Sequence, residues 1–210
     1  MFVYIDGFNL YNRALIRSPY KWLNLGVLAE RVLGTDAEAE VTQIKYFTSW
    51  VSGRKDPDQP IRQQAYVRAL KTLPNISIFM GRFLSRPIIR PLINNPSWGK
   101  CASVEVNDTR EKGSDVNLAS HLVWDGARGA YDLAVVVSKD TDLVEPIRIV
   151  RDEIKKHVRV VSPDGGLSDP LRKVAGSVFH IHAADLKASQ FPDVLKARSG
   201  KSIRKPAIWG

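Results

Sequence analysis

The chain has 210 residues, 44% of them hydrophobic, and its 31 Lys and Arg against 22 Asp and Glu give a formal net charge of +9. This length and composition predict one globular domain with a single core and exclude a chain that is disordered throughout. The positive balance favours a polyanion such as nucleic acid over an acidic small molecule. The single cysteine, Cys101, excludes an intrachain disulfide and a thiolate zinc cluster, so we interpret it as a buried hydrophobe in a reducing compartment.

No run of residues approaches the ~20 apolar positions that a membrane span needs. The apolar run at the start is short, has no basic segment before it and ends at Asp6, which is typical of a first strand rather than of a signal peptide. We therefore expect a soluble, cytoplasmic protein with no membrane partner.

Predicted strands and helices alternate along most of the chain. Short β-branched runs predict strands, and apolar residues spaced three or four apart predict helices. Such alternation indicates an α/β fold, with right-handed crossovers onto a mainly parallel sheet and helices on both faces. The predicted strands span 2–5, 41–50, 76–84, 133–137, 158–161 and 178–181, and the helices 9–16, 25–33, 60–73, 115–127, a segment ending near 156, and 169–174.

Two stretches depart from this alternation. The region 86–100 contains Pro87, Pro91 and Pro96, so we predict a β-ribbon or long loop outside the core, as an insertion over about 84–107. The last twenty or so residues lack periodicity and are rich in Lys and Arg. We therefore divide the chain into a domain at 1–188 and a basic C-terminal tail at 189–210.

Four aspartates lie at the ends of predicted strands or the start of a predicted helix. Asp6 ends the first strand, Asp115 opens a helix, and Asp140 and Asp142 follow the strand LAVVV. Since ligands bind at the carboxyl ends of the strands in such sheets, we expect these four side chains to meet at one edge. Clustered carboxylates are unfavourable without a compensating cation, and they prefer hard cations such as Mg²⁺ and Mn²⁺.

Each of these segments also has a purely structural interpretation. Asp6 and Asp115 are each suited to cap the helix that follows, and Asp142 with Glu145 is suited to a capping box. Such a box does not explain Asp140, because one carboxylate is enough to cap a helix. The joint occurrence of three acidic segments therefore favours a metal site.

The segments IDGFNLY, EKGSDVNLA and SKDTDL resemble, in order and spacing, the three acidic motifs of the NYN domain, a branch of the PIN-like nuclease superfamily. The resemblance runs over about 2–181. It implies a Rossmann-like α/β/α sandwich with a site for Mg²⁺ or Mn²⁺ at the carboxyl edge of the sheet, and RNA as substrate. It further implies catalytic and metal-binding roles for Asp6, Asp115, Asp140 and Asp142, and RNA-binding roles for the neighbouring Asn9, Lys112 and Ser138.

One position departs from the pattern of this family. Many relatives carry a further aspartate about six residues after the second-motif acid, where this chain has His121. The next acid, Asp125, lies ten residues after Asp115, a rotation of about 280° on an ideal helix. We interpret His121 as a surface residue paired with Asp125 at i,i+4 and expect any second metal to bind weakly or only with substrate.

Basic residues are frequent in the half of the chain that holds the insertion. Trp50, Phe83 and Trp98 offer stacking surfaces there, of the kind that single-stranded RNA uses. The alternative, that these charges are scattered solvated positions, stays open. The candidate RNA-binding residues of this region are Arg82, Arg86, Arg90, Lys100 and Arg110.

These observations predict a metal-dependent ribonuclease that hydrolyses phosphodiester bonds in single-stranded or structured RNA. One alternative is an RNA-binding or scaffold protein that keeps the fold without turnover. Another is a different phosphoryl enzyme, such as a topoisomerase-primase fold or a phosphatase. A topoisomerase-primase fold requires a glutamate at the end of an earlier strand, and such a phosphatase requires Asp-x-Asp in its first motif. The first motif here, Asp6, Gly7 and Phe8, provides neither. The sequence leaves a homodimer open.

Overall fold

The computed structural model describes residues 1–32, 40–54, 56–92 and 103–209. Within these residues, a mainly parallel sheet runs through the centre of the molecule, and helices cover both of its faces. The strand order is β4-β3-β2-β1-β5-β6-β7, and only β4, at one edge, is antiparallel to its neighbour in the described part of this sheet. The strands are β1 (Phe2–Asp6), β2 (Gln43–Ser49), β3 (Ile76–Pro91), β4 (Ser103–Lys112), β5 (Leu133–Val137), β6 (His157–Ser162) and β7 (Ser177–His180).

The helices pack in two layers because successive side chains of a strand point to opposite faces. Val3 and Ile5 of β1 face one core cluster, whereas Tyr4 between them faces the other. The β5 sequence LAVVV is apolar at every position, which is typical of a central parallel strand buried on both faces. The helices are α1 (Gly7–Leu10), α2 (Leu25–Val32), α3 (Gln59–Leu70), α4 (Ser114–Ala127), α5 (Val144–Arg148), α6 (Asp169–Val174) and α7 (Ala183–Ala188).

Wider or tighter helical turns extend two of these helices. The π-helical turns Tyr11–Leu15 and Ile149–Glu153 continue α1 and α5, and the 3₁₀ turn Thr141–Leu143 precedes α5. The predicted α/β fold is confirmed, including the helices near 9–16 and up to about 156. Among the described helices, none combines the length and apolar character needed to cross a bilayer.

The strand order reverses between β1 and β5. From β1 the chain builds outward through β2 and β3, and from β5 it builds in the opposite direction through β6 and β7. In open α/β sheets this reversal opens a crevice at the carboxyl ends of the two central strands. Asp6 ends β1 and Asp140 follows β5, so the topology places both beside this crevice.

The predicted insertion is a long two-stranded ribbon. After pairing with β2 up to Gly81, β3 continues and pairs with β4 from Arg82↔Lys112 to Pro91↔Ser103. The ribbon therefore begins and ends slightly outside the predicted 84–107. Lys100 and Cys101 lie outside the described residues, so their predicted roles stay predictions.

The described part of the predicted tail packs against the core. A small hairpin forms from β8 (Val194–Lys196) and β9 (Ser202–Arg204), and a 3₁₀ turn follows at Ala207–Trp209. Phe191 and the Trp209 ring both contact the Trp22 ring, with centroids 5.9 and 6.1 Å away. The segment is basic, as predicted, but its apolar residues hold it on the domain.

Candidate metal centre

Asp6 is positioned by the turn that joins β1 to α1. One carboxylate oxygen accepts a hydrogen bond from the Asn9 backbone N–H at 2.9 Å, which caps α1, and the other accepts one from the Ser138 hydroxyl at 2.9 Å. The side chain is only 3% exposed. A Cβ at Gly7 would lie 2.7 Å from the Phe47 carbonyl oxygen, so this tight turn requires glycine. Capping and membership of an acidic site therefore coexist in Asp6.

Asp140 has the equivalent position after β5. Its Oδ1 accepts a hydrogen bond from the Asp142 backbone N–H at 3.0 Å, and its own N–H donates to the Ser138 hydroxyl at 3.0 Å. The Asn9 side-chain oxygen accepts from the Lys139 N–H at 3.1 Å. Asn9 and Ser138 thus link the loops that follow β1 and β5 and hold the two carboxylates together. Their predicted contact with RNA stays a prediction.

Asp115 reaches the same edge from the first turn of α4. Gly113 precedes the helix with φ of 102°, a left-handed conformation that turns the chain from β4 into α4. Glu111 fixes this turn by accepting hydrogen bonds from the hydroxyls of Ser49 and Ser114, at 2.6 and 2.7 Å. Asp115 is therefore not the N-cap residue, which leaves its carboxylate available to the site.

The carboxylates of Asp6, Asp115 and Asp140 converge. Each offers an oxygen, and these oxygens all lie within 4.8 Å of one another. Two ligands on opposite sides of a cation, each at ~2.1–2.4 Å from it, are about that far apart, so one divalent ion fits between them. An all-oxygen ligand set suits hard cations such as Mg²⁺ and Mn²⁺.

The electrostatics of Asp6 and Asp115 favour a cation. Burial raises the pKa of Asp115 to about 6, and the charges of Asp6, Asp140, Glu111 and Asp142 add to this effect. Burial also raises the pKa of Asp6, while hydrogen bonds from Asn9 and Ser138 oppose the rise. Both shifts report negative charge that is poorly compensated by the protein, which is the condition that a bound cation relieves.

Asp142 lies outside this group of three. Its side chain is exposed, and its charge acts on Asp115 through space. Its predicted role as a metal ligand stays a prediction.

The described basic residues of the ribbon share one face. Opposed residues of an antiparallel pair point to the same side, as do residues two apart along a strand. The cross-strand pairs Arg82↔Lys112 and Leu84↔Arg110 therefore place the basic residues of β3 and those of β4 on the same face. Asp108 also lies on this face, with its carboxylate 2.7 Å from Arg110 and 4.0 Å from Arg90. This basic face consists of Arg82, Arg86, Arg90, Arg110 and Lys112, all of them exposed.

The opposite face of the ribbon connects it to the acidic site. Phe83 packs edge-to-face on Phe8 of α1 with ring centroids 5.6 Å apart. Glu111 accepts a hydrogen bond from the hydroxyl of Ser114, the residue before Asp115. The base of the ribbon therefore adjoins the acidic edge, and the basic face extends away from it. RNA binding by this face stays a prediction.

The prediction of a surface pair between His121 and Asp125 is wrong. Asp125 is 1% exposed, and its carboxylate accepts hydrogen bonds from Lys45, Tyr4 and Arg128 at 2.5, 2.7 and 2.9 Å. Burial would raise the pKa of Asp125, but these donors hold it below its ordinary value. The Nδ1 of His121 lies 3.3 Å from the Lys45 amine instead.

His121 is partly buried on α4 and lies outside the three-carboxylate group. Its ring contacts the Phe79 ring with centroids 4.2 Å apart, and burial together with the Lys45 charge lowers its pKa. Sequence reasoning missed this network because Lys45 is 76 positions away in the chain. A lysine within the apolar strand QIKYFTS was the available signal, since a buried lysine requires an acidic partner.

Glu111 was also missed. It lies near the end of β4, an exposed ribbon strand, and nothing in the local sequence shows that Gly113 turns the chain so that Glu111 reaches Ser49 and Ser114.

The chain is similar to one protein family, to one characterised relative and to one solved structure. The NYN domain model matches residues 1–182. The chain is 30% identical, over 233 aligned positions, to 6-hydroxy-3-succinoylpyridine 3-monooxygenase HspA of Pseudomonas putida (strain DSM 28022 / S16), covering 99% of this chain and 74% of that protein. A solved structure of a protein of unknown function from Vibrio parahaemolyticus RIMD 2210633 is similar at a TM-score of 0.49 and 16% identity, over 87% of this chain and 93% of that one.

Proposed function

Because the chain belongs to the NYN domain family, we propose that it is a metal-dependent ribonuclease that hydrolyses phosphodiester bonds in RNA. NYN domains act on RNA. The observation that carries the proposal is the convergence of Asp6, Asp115 and Asp140 within 4.8 Å at the sheet edge where the strand order reverses.

The three carboxylates would hold Mg²⁺ or Mn²⁺. Such an ion, when bound, lowers the pKa of a water molecule and offsets the negative charge that develops on a phosphodiester. The protein contributes rigidity, because Ser138 and Asn9 fix the loops that carry Asp6 and Asp140. In the reaction a water oxygen bonds to phosphorus while the bond from phosphorus to the 3′ oxygen breaks, leaving a 5′-phosphate and a 3′-hydroxyl.

Substrate binding is supported by the positive charge near the site. Lys112, at the foot of the ribbon, is three residues from Asp115, and Arg82 is its cross-strand neighbour. Because this face is opposite the one that adjoins the acidic site, an RNA strand whose phosphodiester lies at the carboxylates would meet these cations with its flanking phosphates. The rest of the basic face would extend this contact along the strand, a sequence-independent interaction with the phosphate backbone.

Cleavage of a 5′-labelled single-stranded RNA and of a hairpin RNA, with Mg²⁺, Mn²⁺ or EDTA, tests the proposal. We expect a metal-dependent labelled fragment that ends in a 3′-hydroxyl, and no product from Asp140→Asn. A matched control is Asp132→Asn, since Asp132 precedes β5 at the opposite edge of the sheet and is paired with Lys156. That variant should cleave as the wild type does.

One outcome selects the alternative function instead. RNA binding that survives EDTA, without cleavage under either metal, would indicate an RNA-binding or scaffold protein. The same result would show that the acidic group does not support turnover.

A second candidate is oxygenation of a small heteroaromatic compound, which the 30% identity to HspA over 99% of this chain favours. That reaction places one oxygen atom of O₂ on the ring and needs a two-electron donor to reduce the other to water. The three-carboxylate group, without a histidine, resembles a Mg²⁺ or Mn²⁺ site more than the two-His, one-carboxylate iron site of many oxygenases. Oxygen uptake with 6-hydroxy-3-succinoylpyridine and NADH, together with the RNA assay, separates the two functions.

A further inference from the structure

A cavity of about 300 Å³ lies against α1. It is bounded by the end of β2, by α1 and its continuing turn, by α3, and by the 3₁₀ turn Ala207–Trp209. Its walls are largely apolar and aromatic. The aromatic residues that line it are Tyr11, Tyr46, Tyr66 and Trp209.

The cavity adjoins the turn that carries Asp6. Gly7 lines the cavity and directly follows Asp6. A Cβ on Gly7 would lie 2.7 Å from the hydroxyl of Tyr46, so this phenol lies against the backbone of the turn that holds Asp6. Burial raises the pKa of Tyr46 to about 12, and the Asp6 charge contributes to the rise. A ligand filling the cavity would therefore be a neighbour of a phosphate at the carboxylates.

The cavity suits a flat ring with polar edges. Aromatic walls offer surfaces for stacking or edge contacts. Polar groups at its boundary include the Thr48 hydroxyl and the Arg62 guanidinium, which is held by Asp56. Gln63 is fixed there by hydrogen bonds with Val51 N–H and the Ser49 carbonyl, at 2.9 and 2.8 Å. An apolar pocket with a few fixed polar groups is the usual form of a small-ligand site.

We propose that this cavity binds one nucleobase of the RNA strand whose phosphodiester lies at the acidic group. The nature of the ligand rests on the proposed ribonuclease function, whereas the cavity and its adjacency to Asp6 do not. Single-stranded RNA is bound mainly through stacked, splayed-out bases together with backbone charge. The cavity supplies the first of these beside the carboxylates, and the basic face of the ribbon supplies the second.

Calorimetric titration with adenosine 5′-monophosphate, uridine 5′-monophosphate and ribose 5-phosphate, each with Mg²⁺, tests the inference. Ribose 5-phosphate retains the phosphate but lacks the base. We expect at least one nucleotide to bind at least tenfold more tightly than ribose 5-phosphate. Equal affinity for all three would overturn the inference, because the phosphate alone would then account for binding.

Substitutions that fill the cavity provide a second test of nucleobase binding. Val51→Trp places a large side chain at the cavity wall, and Ile208→Trp does so at its exposed lip, where Ile208 is 74% exposed. Each should weaken nucleotide binding at least tenfold without affecting ribose 5-phosphate. The matched control is Val178→Trp on the edge strand β7, which should leave both affinities unchanged. Unchanged nucleotide affinity in Ile208→Trp and in a folded Val51→Trp would overturn the inference.

Two further results separate this inference from the proposed function. If RNA cleavage requires Asp140 but the Trp variants bind nucleotides normally, the cavity inference fails and the nuclease stands. If the Trp variants lose nucleotide binding while no RNA is cleaved, the cavity binds a base and the nuclease fails. Binding of pyridine-3-carboxylate that is lost in Val51→Trp, without nucleotide binding, would overturn the nucleobase assignment in favour of a free aromatic acid.

Discussion

At the scale of single residues, the aspartates at the strand ends do two things at once. One oxygen each of Asp6 and Asp140 accepts a backbone N–H at the start of a helical turn, and each residue also contributes to the three-carboxylate group. Backbone N–H groups at a helix start partly offset the negative charge. The capping interpretation and the metal interpretation are therefore compatible for these two residues.

This double role makes Asp140→Asn an informative substitution. Asparagine also caps helices well, so the bond from the Asp142 N–H is retained while one of three repelling charges is removed. We expect unchanged or slightly higher thermal stability without metal. Added Mg²⁺ or Mn²⁺ should raise the melting temperature of the wild type but not of the variant. Loss of folding in Asp140→Asn would show that the carboxylate is structural.

The raised pKa of Asp115 predicts a pH dependence. Its folded-state pKa of about 6 lies above the ordinary value of 3.8, so the ionised form is disfavoured by folding. This destabilisation is fully present above the folded pKa, shrinks between pH 6 and 4, and is absent below the unfolded pKa. Without metal, Asp115→Asn should therefore be more stable than wild type by about 1–2 kcal/mol at pH 7.5, after discounting for partial exposure, and equal at pH 3.5.

Denaturant unfolding of both proteins across this pH range measures that difference. Below this pKa, protons compete with the cation for the Asp115 carboxylate. The wild-type affinity for Mn²⁺ should therefore fall by up to tenfold per pH unit below pH 6. A pH-independent affinity from pH 5 to 7 would contradict the assignment of Asp115 to the site.

Lys45 is expected to matter for stability more than for the chemistry. Its amine is the closest donor to the buried Asp125, so Lys45→Met leaves a buried carboxylate with fewer partners. We expect a loss of about 3 kcal/mol of unfolding free energy. The double variant Lys45→Met with Asp125→Asn should be more stable than the single variant. Equal stability of wild type and Lys45→Met in urea unfolding would contradict a coupled pair.

At the scale of elements, the predictable part of the structure is the part that local pattern determines. Strand β5 and the acids after it were evident because a fully apolar run must be buried and must end before charged residues. The ends of parallel strands then place Asp6 and Asp140 together. Glu111 and Lys45 were not evident, because their partners Ser49 and Asp125 lie 62 and 80 positions away. Only the packed fold brings them into contact.

The ribbon provides a prediction at this scale. If the basic face contacts RNA phosphates, replacing Arg82, Arg86 and Arg90 with Gln should weaken RNA binding and reduce the slope of log K against log salt concentration. Each lost phosphate contact should lower the slope by about 0.7 for a single strand. Arg148→Gln, with Arg148 on α5 and paired with Glu145 and Glu153, is the matched control. An unchanged slope in the triple variant would mean that these arginines are only a solvated surface.

At the scale of the whole molecule, the C-terminal segment completes the layer that covers one face of the sheet. Phe191 and Ile203 are 5% and 4% exposed, and the Trp22 indole N–H donates to the Pro192 carbonyl at 2.9 Å. The sequence of this segment predicted a basic tail, because it lacks periodicity and is rich in Lys and Arg, yet a few of its apolar residues are buried. Those few residues determine where it lies, since they bury against Trp22 and Tyr66.

This packing predicts a stability effect that a solvated tail would not have. Phe191→Ala removes a buried aromatic ring in contact with Trp22 and should lower the free energy of unfolding by about 3–5 kcal/mol. Lys196→Ala and Lys201→Ala change exposed residues of the same segment and should stay within about 0.5 kcal/mol of wild type. Urea unfolding followed by tryptophan fluorescence measures all three. If Phe191→Ala were as stable as the two lysine variants, the segment would not be part of the core, and Trp209 would not form a wall of the cavity in solution.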